Sequence, residues 1–525
     1  MEDRFLLLLI LIMVMIGIVM LAKKIRVAYP ILLVVAGLLI SFIPGMPTIE
    51  LRPELIFILV LPPILYEAAW ACSFRELFKW RRIILSFAFF GVFITAISVA
   101  FTAYWFIPGF TLALGFLLGG IVSPPDAVST NAITKFVKLP KRISTILEGE
   151  SLLNDASSLI IIQFAILAVV TGNFNASKAS LQFAWMVIGG VACGLLFGWI
   201  FVKAHKKLPT DANMDVLLTL IAPYLMYISA EEIHTSGVLS VVAGGLFVSQ
   251  KRYDFLSSTS RVRGTNVWQS FVFLLNGIVF ILIGLDLPQI TAGLEGTNIT
   301  TAIGYGILIT IVVILVRLLS FYGAVGVTMI MRNFITVADR QNPGFKGPFI
   351  LGWAGMRGVV SLAAALSIPF YLDNGEVFPQ RNLILFITFI VILLTLVIQG
   401  LTLPFLIKRA KLKEIDYPQP EDEVSAYLDK ELLKISIDYL RSVFPEKEQK
   451  SKRFHEILVN VQEQLSENNE IKLDSKSTHI YCELLTLQRK QLLQINKTQP
   501  TIDEEIIHKK MMIIDYQEER LKLRN

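Results

Sequence analysis

The sequence predicts an all-α integral membrane protein of about thirteen transmembrane helices, built as two inverted repeats with one interrupted helix in each, followed by a helical cytosolic tail. Three observations carry this expectation. Of 525 residues, 54% are hydrophobic and only 17% charged, and the mean hydropathy of +0.62 is too high for a soluble chain of this size. The charge is uneven: beyond Ile407 roughly a third of residues are Asp, Glu, Lys or Arg, against roughly an eighth before it. Finally, the cations before Ile407 gather in short segments that follow every second apolar run.

Taken in order, the apolar runs place spans near 5–22, 28–43, 54–71, 83–107, 111–132, 146–171, 181–202, 214–230, 236–249, 266–287, 300–331, 348–371 and 382–407. The first resembles a signal peptide in length. Its flank Lys23-Lys24-Ile25-Arg26 offers no small-residue cleavage pattern, so it reads as a retained helix. Basic clusters occur at Lys23 to Arg26, Arg75 to Arg82, Lys135 to Arg142, Lys203 to Lys207, Lys251 to Arg263, Arg332 to Lys346 and Lys408 to Lys413, each after an odd-numbered span. Lys and Arg accumulate on the cytoplasmic side of a membrane. The expectation is therefore a multi-pass protein of the cell (inner) membrane, surrounded by membrane lipid, with its N-terminus outside and its C-terminus in the cytoplasm. Residues 1–410 form the transmembrane domain and 411–525 the cytosolic helical region.

Two spans are interrupted and charged. The fifth contains Ser123-Pro124-Pro125-Asp126, and the twelfth contains Gly352-Trp353-Ala354-Gly355-Met356-Arg357-Gly358. They lie seven spans apart, an odd shift, so they run in opposite directions. Transporters with inverted repeats build a midplane ion site from two such broken helices, whose ends present partial charges and freed carbonyls.

Other function classes find little support. The cations sit between apolar runs, where they orient the chain in the membrane, so no nucleic-acid partner is expected. The three cysteines, Cys72, Cys193 and Cys482, make neither a disulfide framework nor a metal site. No phosphate-cradling or dinucleotide-binding motif and no nucleophile elbow is present. The chain is expected to be no enzyme and to use no cofactor, with Na+ and H+ as transported substrates. The tail, punctuated by Pro418, Pro420, Pro445 and Pro500, reads as solvated helices and names no partner.

Asp155 is the first candidate for a cation and proton carrier, because a carboxylate about nine residues into a spanning helix lies near mid-membrane. Ser151, four residues earlier, shares its helix face and offers a hydroxyl. The Pro124-Pro125 break frees backbone carbonyls, that of Pro125 included. These groups together could seat Na+, with Asp155 and Ser151 as its side-chain ligands; a structural pairing of Asp155 with arginine is the bland alternative. Asn154 is neutral, so the site holds one titrating group, which favours one-for-one, electroneutral exchange. Glu67, after Leu61-Pro62-Pro63, is either a second carboxylate on the ion path or a charge at a helix end. Glu150, Asp126, Arg317 and Arg357 are also intramembrane; two acids and two bases invite structural or gating pairs, since an unpaired buried charge is costly.

At these residues the chain resembles the sodium/proton exchanger branch of the monovalent cation:proton antiporters. The likeness rests on Leu61-Pro62-Pro63-Ile64-Leu65, Gly149-Glu150-Ser151-Leu152-Leu153-Asn154-Asp155-Ala156, Ser236-Gly237-Val238-Leu239 and Trp353-Ala354-Gly355-Met356-Arg357-Gly358-Val359-Val360-Ser361, which occur in family order. The resemblance implies a homodimer with two unwound crossing helices and elevator-like alternating access. It implies that Asp155 is the shared carboxylate, that Ser151 and Glu67 contribute to the ion site, and that Asn154 supports its geometry. It pairs Arg357 with Asp126 and Arg317 with Glu150. Where many relatives carry Thr before the fifth-span Asp, this chain has Pro125, so a backbone carbonyl replaces a hydroxyl.

The function expected is a secondary antiporter exchanging Na+, or Li+ or K+, for H+ in pH and salt homeostasis. A K+-preferring antiporter and a cation channel or sensor on the same core are the alternatives. A third option, an organic-anion transporter, would need Arg357 free of Asp126.

Overall fold

The computed structural model describes residues 2–43, 56–134, 137–172, 176–294, 298–332, 344–372, 375–417, 419–444, 452–463 and 475–522. Among them there is no β-strand; a single isolated bridge joins Tyr371 to Val377. Among the described residues eight helices are long and apolar enough to cross a membrane, and three shorter apolar helices accompany them. In chain order the helices are α1 (Glu2–Ile25), α2 (Tyr29–Ser41), α3 (Ile56–Ala71), α4 (Phe74–Phe106), α5 (Leu112–Val122), α6 (Ala127–Thr134), α7 (Lys141–Thr171) and α8 (Ala176–Lys207). They continue with α9 (Ala212–Glu232), α10 (Gly237–Phe255), α11 (Ser258–Leu285), α12 (Leu287–Ala292), α13 (Ile299–Met331), α14 (Lys346–Trp353), α15 (Val359–Leu366) and α16 (Arg381–Ala410). The chain ends in α17 (Glu421–Val443), α18 (Lys452–Glu463), α19 (Ser475–Thr498) and α20 (Glu504–Lys522).

The chain divides into two compact units. One comprises 1–206, 218–251 and 268–413, the other 207–217, 252–267 and 414–525. The second unit thus takes in two short connectors, around α8/α9 and α10/α11, that hydropathy alone assigns to the membrane region.

Within the first unit, helix ends follow local chemistry more closely than hydropathy. α4 begins at Phe74, nine residues before the apolar run, because the Ser73 hydroxyl accepts the Glu76 N–H at 3.2 Å and caps a basic but helix-forming segment. The Thr111 hydroxyl caps α5 in the same way, accepting from the Leu114 N–H at 3.3 Å. Gly115 and Gly119 bring α5 against the backbone of α4 at Ala100 and Ala96, where a side chain would overlap main-chain atoms. Such close approach is how helices associate where hydrocarbon surroundings remove the hydrophobic drive.

The two broken spans are each resolved into separate helices. Residues 123–126 stand between α5 and α6, and 354–358 between α14 and α15. Among the described residues there are three π-helical turns: Ile56–Val60 opens α3, and Ser86–Gly91 and Thr395–Gln399 interrupt α4 and α16. Such turns release carbonyls from the regular ladder and recur at functional sites.

In the second unit α17 to α20 enclose an apolar core that includes Leu428, Leu484, Leu492 and Ile507, and Tyr253 packs against it. The charged groups of this unit form a linked set. Arg261 donates Nε and Nη2 to the two Asp515 oxygens at 2.7 and 2.5 Å, and Arg489 Nη2 reaches Asp515 at 2.8 Å and Glu518 at 2.7 Å.

Candidate functional site

Asp155 lies about midway along α7, 7% exposed. No hydrogen bond or ion pair from any described residue reaches its carboxylate, whereas most acids around it are engaged. Its neighbour Asn154, fully buried, donates Nδ2 to the Pro125 carbonyl at 3.1 Å, tying α7 to the first break. The Asn154 Oδ1 finds no partner among the described residues. Ser157 donates to the Ala88 carbonyl at 2.5 Å, a group exposed by the π-helical turn in α4, and Ser158 donates to Gly120 of α5 at 2.8 Å. Helix α7 is thus fastened on both sides of Asp155 through hydroxyls and an amide, leaving its carboxylate uncommitted.

The two breaks touch each other. The Asp126 N–H donates to the Met356 carbonyl at 2.7 Å, and the Thr130 hydroxyl reaches the Asp126 carbonyl at 3.1 Å and the Ala354 carbonyl at 3.4 Å. Asp126 accepts the Val128 N–H at 3.1 Å, the Ser129 N–H at 3.2 Å and the Ser129 hydroxyl at 2.5 Å, so it caps the start of α6. Its carboxylate also lies against Gly358, the residue that opens α15, where a Cβ would overlap it. Asp126 and Asp155 are within electrostatic reach of each other.

The expected pairing of Arg357 with Asp126 is not formed. Arg357, with no exposed surface, donates Nε to the Val122 carbonyl at 2.9 Å, Nη2 to Ser123 at 3.3 Å and Nη1 to Gly355. The Val122 and Ser123 carbonyls close α5, a negative end of a helix dipole, and Gly355 lies in the break just beyond α14, while Asp126 sits at the starts of α6 and α15, which are positive ends. Each charge is therefore compensated by helix termini instead of by the other.

Arg317 and Glu150 do meet, in a bidentate pair at 2.7 and 2.9 Å with both side chains buried. Arg317 lies 5.0 Å over Phe321, which stacks on Phe87 at 3.8 Å between centroids. A small cavity lined by Thr95, Ser123, Ser320 and the pair itself lies alongside. Ser151 and Glu67 are half-buried on α7 and α3. Tyr29 of α2 is within electrostatic reach of both Glu67 and Asp126.

Sequence reasoning passed over Ser157, Ser158 and Thr395. The Thr395 hydroxyl accepts the Arg357 N–H at 3.1 Å and holds the second break from α16. All three are hydroxyls in apolar helices; Ser157 and Thr395 meet π-helical turns, which hydropathy does not register.

A multi-pass bundle of apolar helices, with an uncommitted carboxylate buried beside interrupted helices, is the construction of a membrane ion transporter. The chain belongs to the sodium/hydrogen exchanger family: the model for "Sodium/hydrogen exchanger, transmembrane" matches residues 9–409. It is 34% identical over 424 residues to a sodium, potassium, lithium and rubidium/H(+) antiporter of Bacillus pumilus, covering 78% of this chain and 62% of that protein. To the protein of the same description from Bacillus subtilis it is 36% identical over 389 residues, covering 72% of this chain and 57% of that one. The chain thus spans about three-fifths of the length of these two relatives. In fold it is similar to the sodium proton antiporter MjNhaP1 from Methanocaldococcus jannaschii, with a TM-score of 0.61 at 18% identity, covering 78% of this chain and 99% of that structure.

Proposed function

We propose that the protein is a secondary antiporter that exchanges Na+ for H+ across the cell membrane, for pH and salt homeostasis. The observation that carries this reading is the state of Asp155: buried, mid-helix, and free of any hydrogen bond or ion pair from the described residues. Leaving an ionised carboxylate in that condition is expensive, so it needs a proton or a cation, and it cannot hold both. Competition for one group makes the cycle: deprotonated, the site takes the cation; protonated, it returns.

Ser151 supplies a hydroxyl one turn away. The Pro125 carbonyl, with one lone pair taken by Asn154, has another to offer, and Glu67 adds a second carboxylate on the route. Asp126 and Arg357 keep fixed charges matched to helix ends and do not enter the exchange. One titrating group exchanging one monovalent cation for one proton makes the cycle electroneutral. Thirteen spans in two inverted repeats, with the interrupted helices as an unwound crossing pair, suit this mechanism. The cation distribution supports an outside N-terminus and an inside C-terminus, and the family resemblance supports a homodimer. Residues 1–410 then carry transport and 411–525 form a cytosolic appendage. The names of the Bacillus relatives extend the cation set to Li+ and K+.

The test is proton movement followed with a pH dye in proteoliposomes, adding Na+, Li+ and K+ in turn with the membrane potential clamped at several values. The expected result is cation-driven proton movement whose rate ignores the potential. Steady conduction without proton coupling, or a rate that scales with potential, would overturn the exchange and the electroneutral reading respectively.

A further inference from the structure

The second unit contains an arrangement that ion exchange at Asp155 does not use. Tail helix α20 presents Asp515, Glu518 and Glu519 on successive turns. The α10–α11 connector of this unit, residues 252–267, takes in the last turn of α10 and the first turns of α11 and presents Arg252, Arg261 and Arg263. Arg261 forks onto both Asp515 oxygens, and the two side chains are 9% and 4% exposed, which separates this contact from an ordinary surface ion pair. Arg263 approaches Glu519 at 3.7 Å, Lys522 donates to the Ser258 hydroxyl at 3.3 Å, and Arg252 meets the His508 Nδ1 at 2.5 Å. Tyr253 lies under Arg252 and Arg261 at 5.0 and 5.1 Å and packs on the tail core.

The same segment holds the other connector of this unit. The Ser260 hydroxyl donates to Asp215 at 2.7 Å and Arg263 donates to Asn213 at 3.1 Å. The tail therefore grips, through one row of arginines, the connectors of α8 to α11. None of those helices carries Asp155 or either break.

We propose that the acidic face of α20 is a docking surface for the α10–α11 connector, and that this latch braces the helices that do not carry the ion site and so sets the rate of exchange. On the exchange reading, alternating access requires the groups around Asp155 to move relative to the rest of the protein, and a stiff counterpart makes that motion productive. Cation affinity stays with Asp155. Arg489, which also pairs with Asp515 and Glu518, keeps those acids compensated when the connector arginines leave, so the latch can open without unfolding the tail.

The bracing role rests on the exchange reading, whereas the latch itself does not. The test uses the full-length double variant R261Q/R263Q, which spares the Arg489 contacts, beside R261K/R263K, which keeps the charges. Amide hydrogen exchange across residues 256–263 is expected to quicken about tenfold in the glutamine variant with α19 unchanged, the signature of a local opening. Its maximal Na+-driven proton flux per folded protein should fall at least about threefold with the half-saturating Na+ concentration unchanged, and the lysine variant, which keeps the charges but not the fork, should recover part of the flux. Unaltered protection of 256–263 would remove the latch itself, whatever the transport result. An opened connector with wild-type flux, or a shift in half-saturation instead of flux, would overturn the bracing role. A wild type that moves no protons would count against the exchange reading and leave the protection result to decide the latch.

Discussion

Substituting Glu150 should destabilise the protein more than substituting its partner Arg317. The reason is an asymmetry in what each removal leaves behind. Glu150 is the carboxylate whose charge reaches both Arg317, in a bidentate contact, and Arg357. In E150Q two guanidinium groups that already repel each other lose their counter-charge inside a membrane-embedded core. In R317Q the remaining carboxylate still faces Arg357. Breaking a buried pair by deleting one partner costs about 3–5 kcal/mol, or a hundred-fold to a few thousand-fold in the folded ratio at about 1.4 kcal/mol per tenfold. E150Q belongs at the upper end of that range and R317Q at the lower. The double variant E150Q/R317Q should recover part of the loss, because it deletes the like-charge contact and because Arg357 keeps its carbonyls at the ends of α5 and α14. Thermal unfolding of the purified protein in one detergent gives the ranking: wild type, then the double variant and R317Q, then E150Q. An E150Q midpoint equal to that of wild type, or R317Q clearly below E150Q, would show that Glu150 is not the shared counter-charge of the two arginines.

Gly358→Ala tests the contact between the breaks: the added methyl meets the Asp126 carboxylate, so the variant should lose most exchange, and wild-type flux with normal expression would show that the two breaks do not need this approach. The tail carries its own pH signature. Partial burial pushes the Glu518 carboxyl up, but hydrogen bonds from Lys522 and Arg489 outweigh it and hold the group at about 2, below its usual 4.5. A depressed folded-state value means that this stabilisation is fully present above about pH 4.5 and drains away as pH falls toward 2. Protection of α19 and α20 amides should therefore be flat from neutral pH down to about 5 and fall below it, and E518Q should remove part of that fall. An E518Q profile that matches wild type through this window would show the two bonds to be energetically idle.

Much of the membrane region was legible because one physical rule, the cost of unpaired polar groups in hydrocarbon, writes itself into the sequence. Apolar length gave the helices, and double proline or repeated glycine beside a charge gave both breaks at their places. Helix ends were less legible. The segment Arg75 to Arg82 reads as a basic loop, yet Ser73 caps it into α4, and α7 and α10 likewise extend several residues into charged sequence. Hydropathy marks where a membrane would lie and is silent on where a helix stops.

At the site, the spacing of Ser151 and Asp155 on one face and the neutrality of Asn154 could be read directly. The partner of Arg357 could not. Counting acids against bases suggests pairs and the family resemblance names Asp126, but helix termini are charges that no residue letter records, and both side chains chose them. The connectors around α8/α9 and α10/α11 were assigned to the membrane region by their flanks, whereas Arg261 and Asp515, 254 positions apart, bring one of them to the tail through a contact that no local pattern announces.

The most direct measurement compares wild type with Asp155→Asn, a change that keeps the shape of the side chain and removes its charge. Both proteins are purified, shown to melt alike, and placed in liposomes with an internal pH dye before Na+ is added outside. Wild type should show Na+-driven proton movement and Asp155→Asn none. Sodium-dependent alkalinisation that survives in the asparagine protein would mean that the exchanged ions do not meet at this residue.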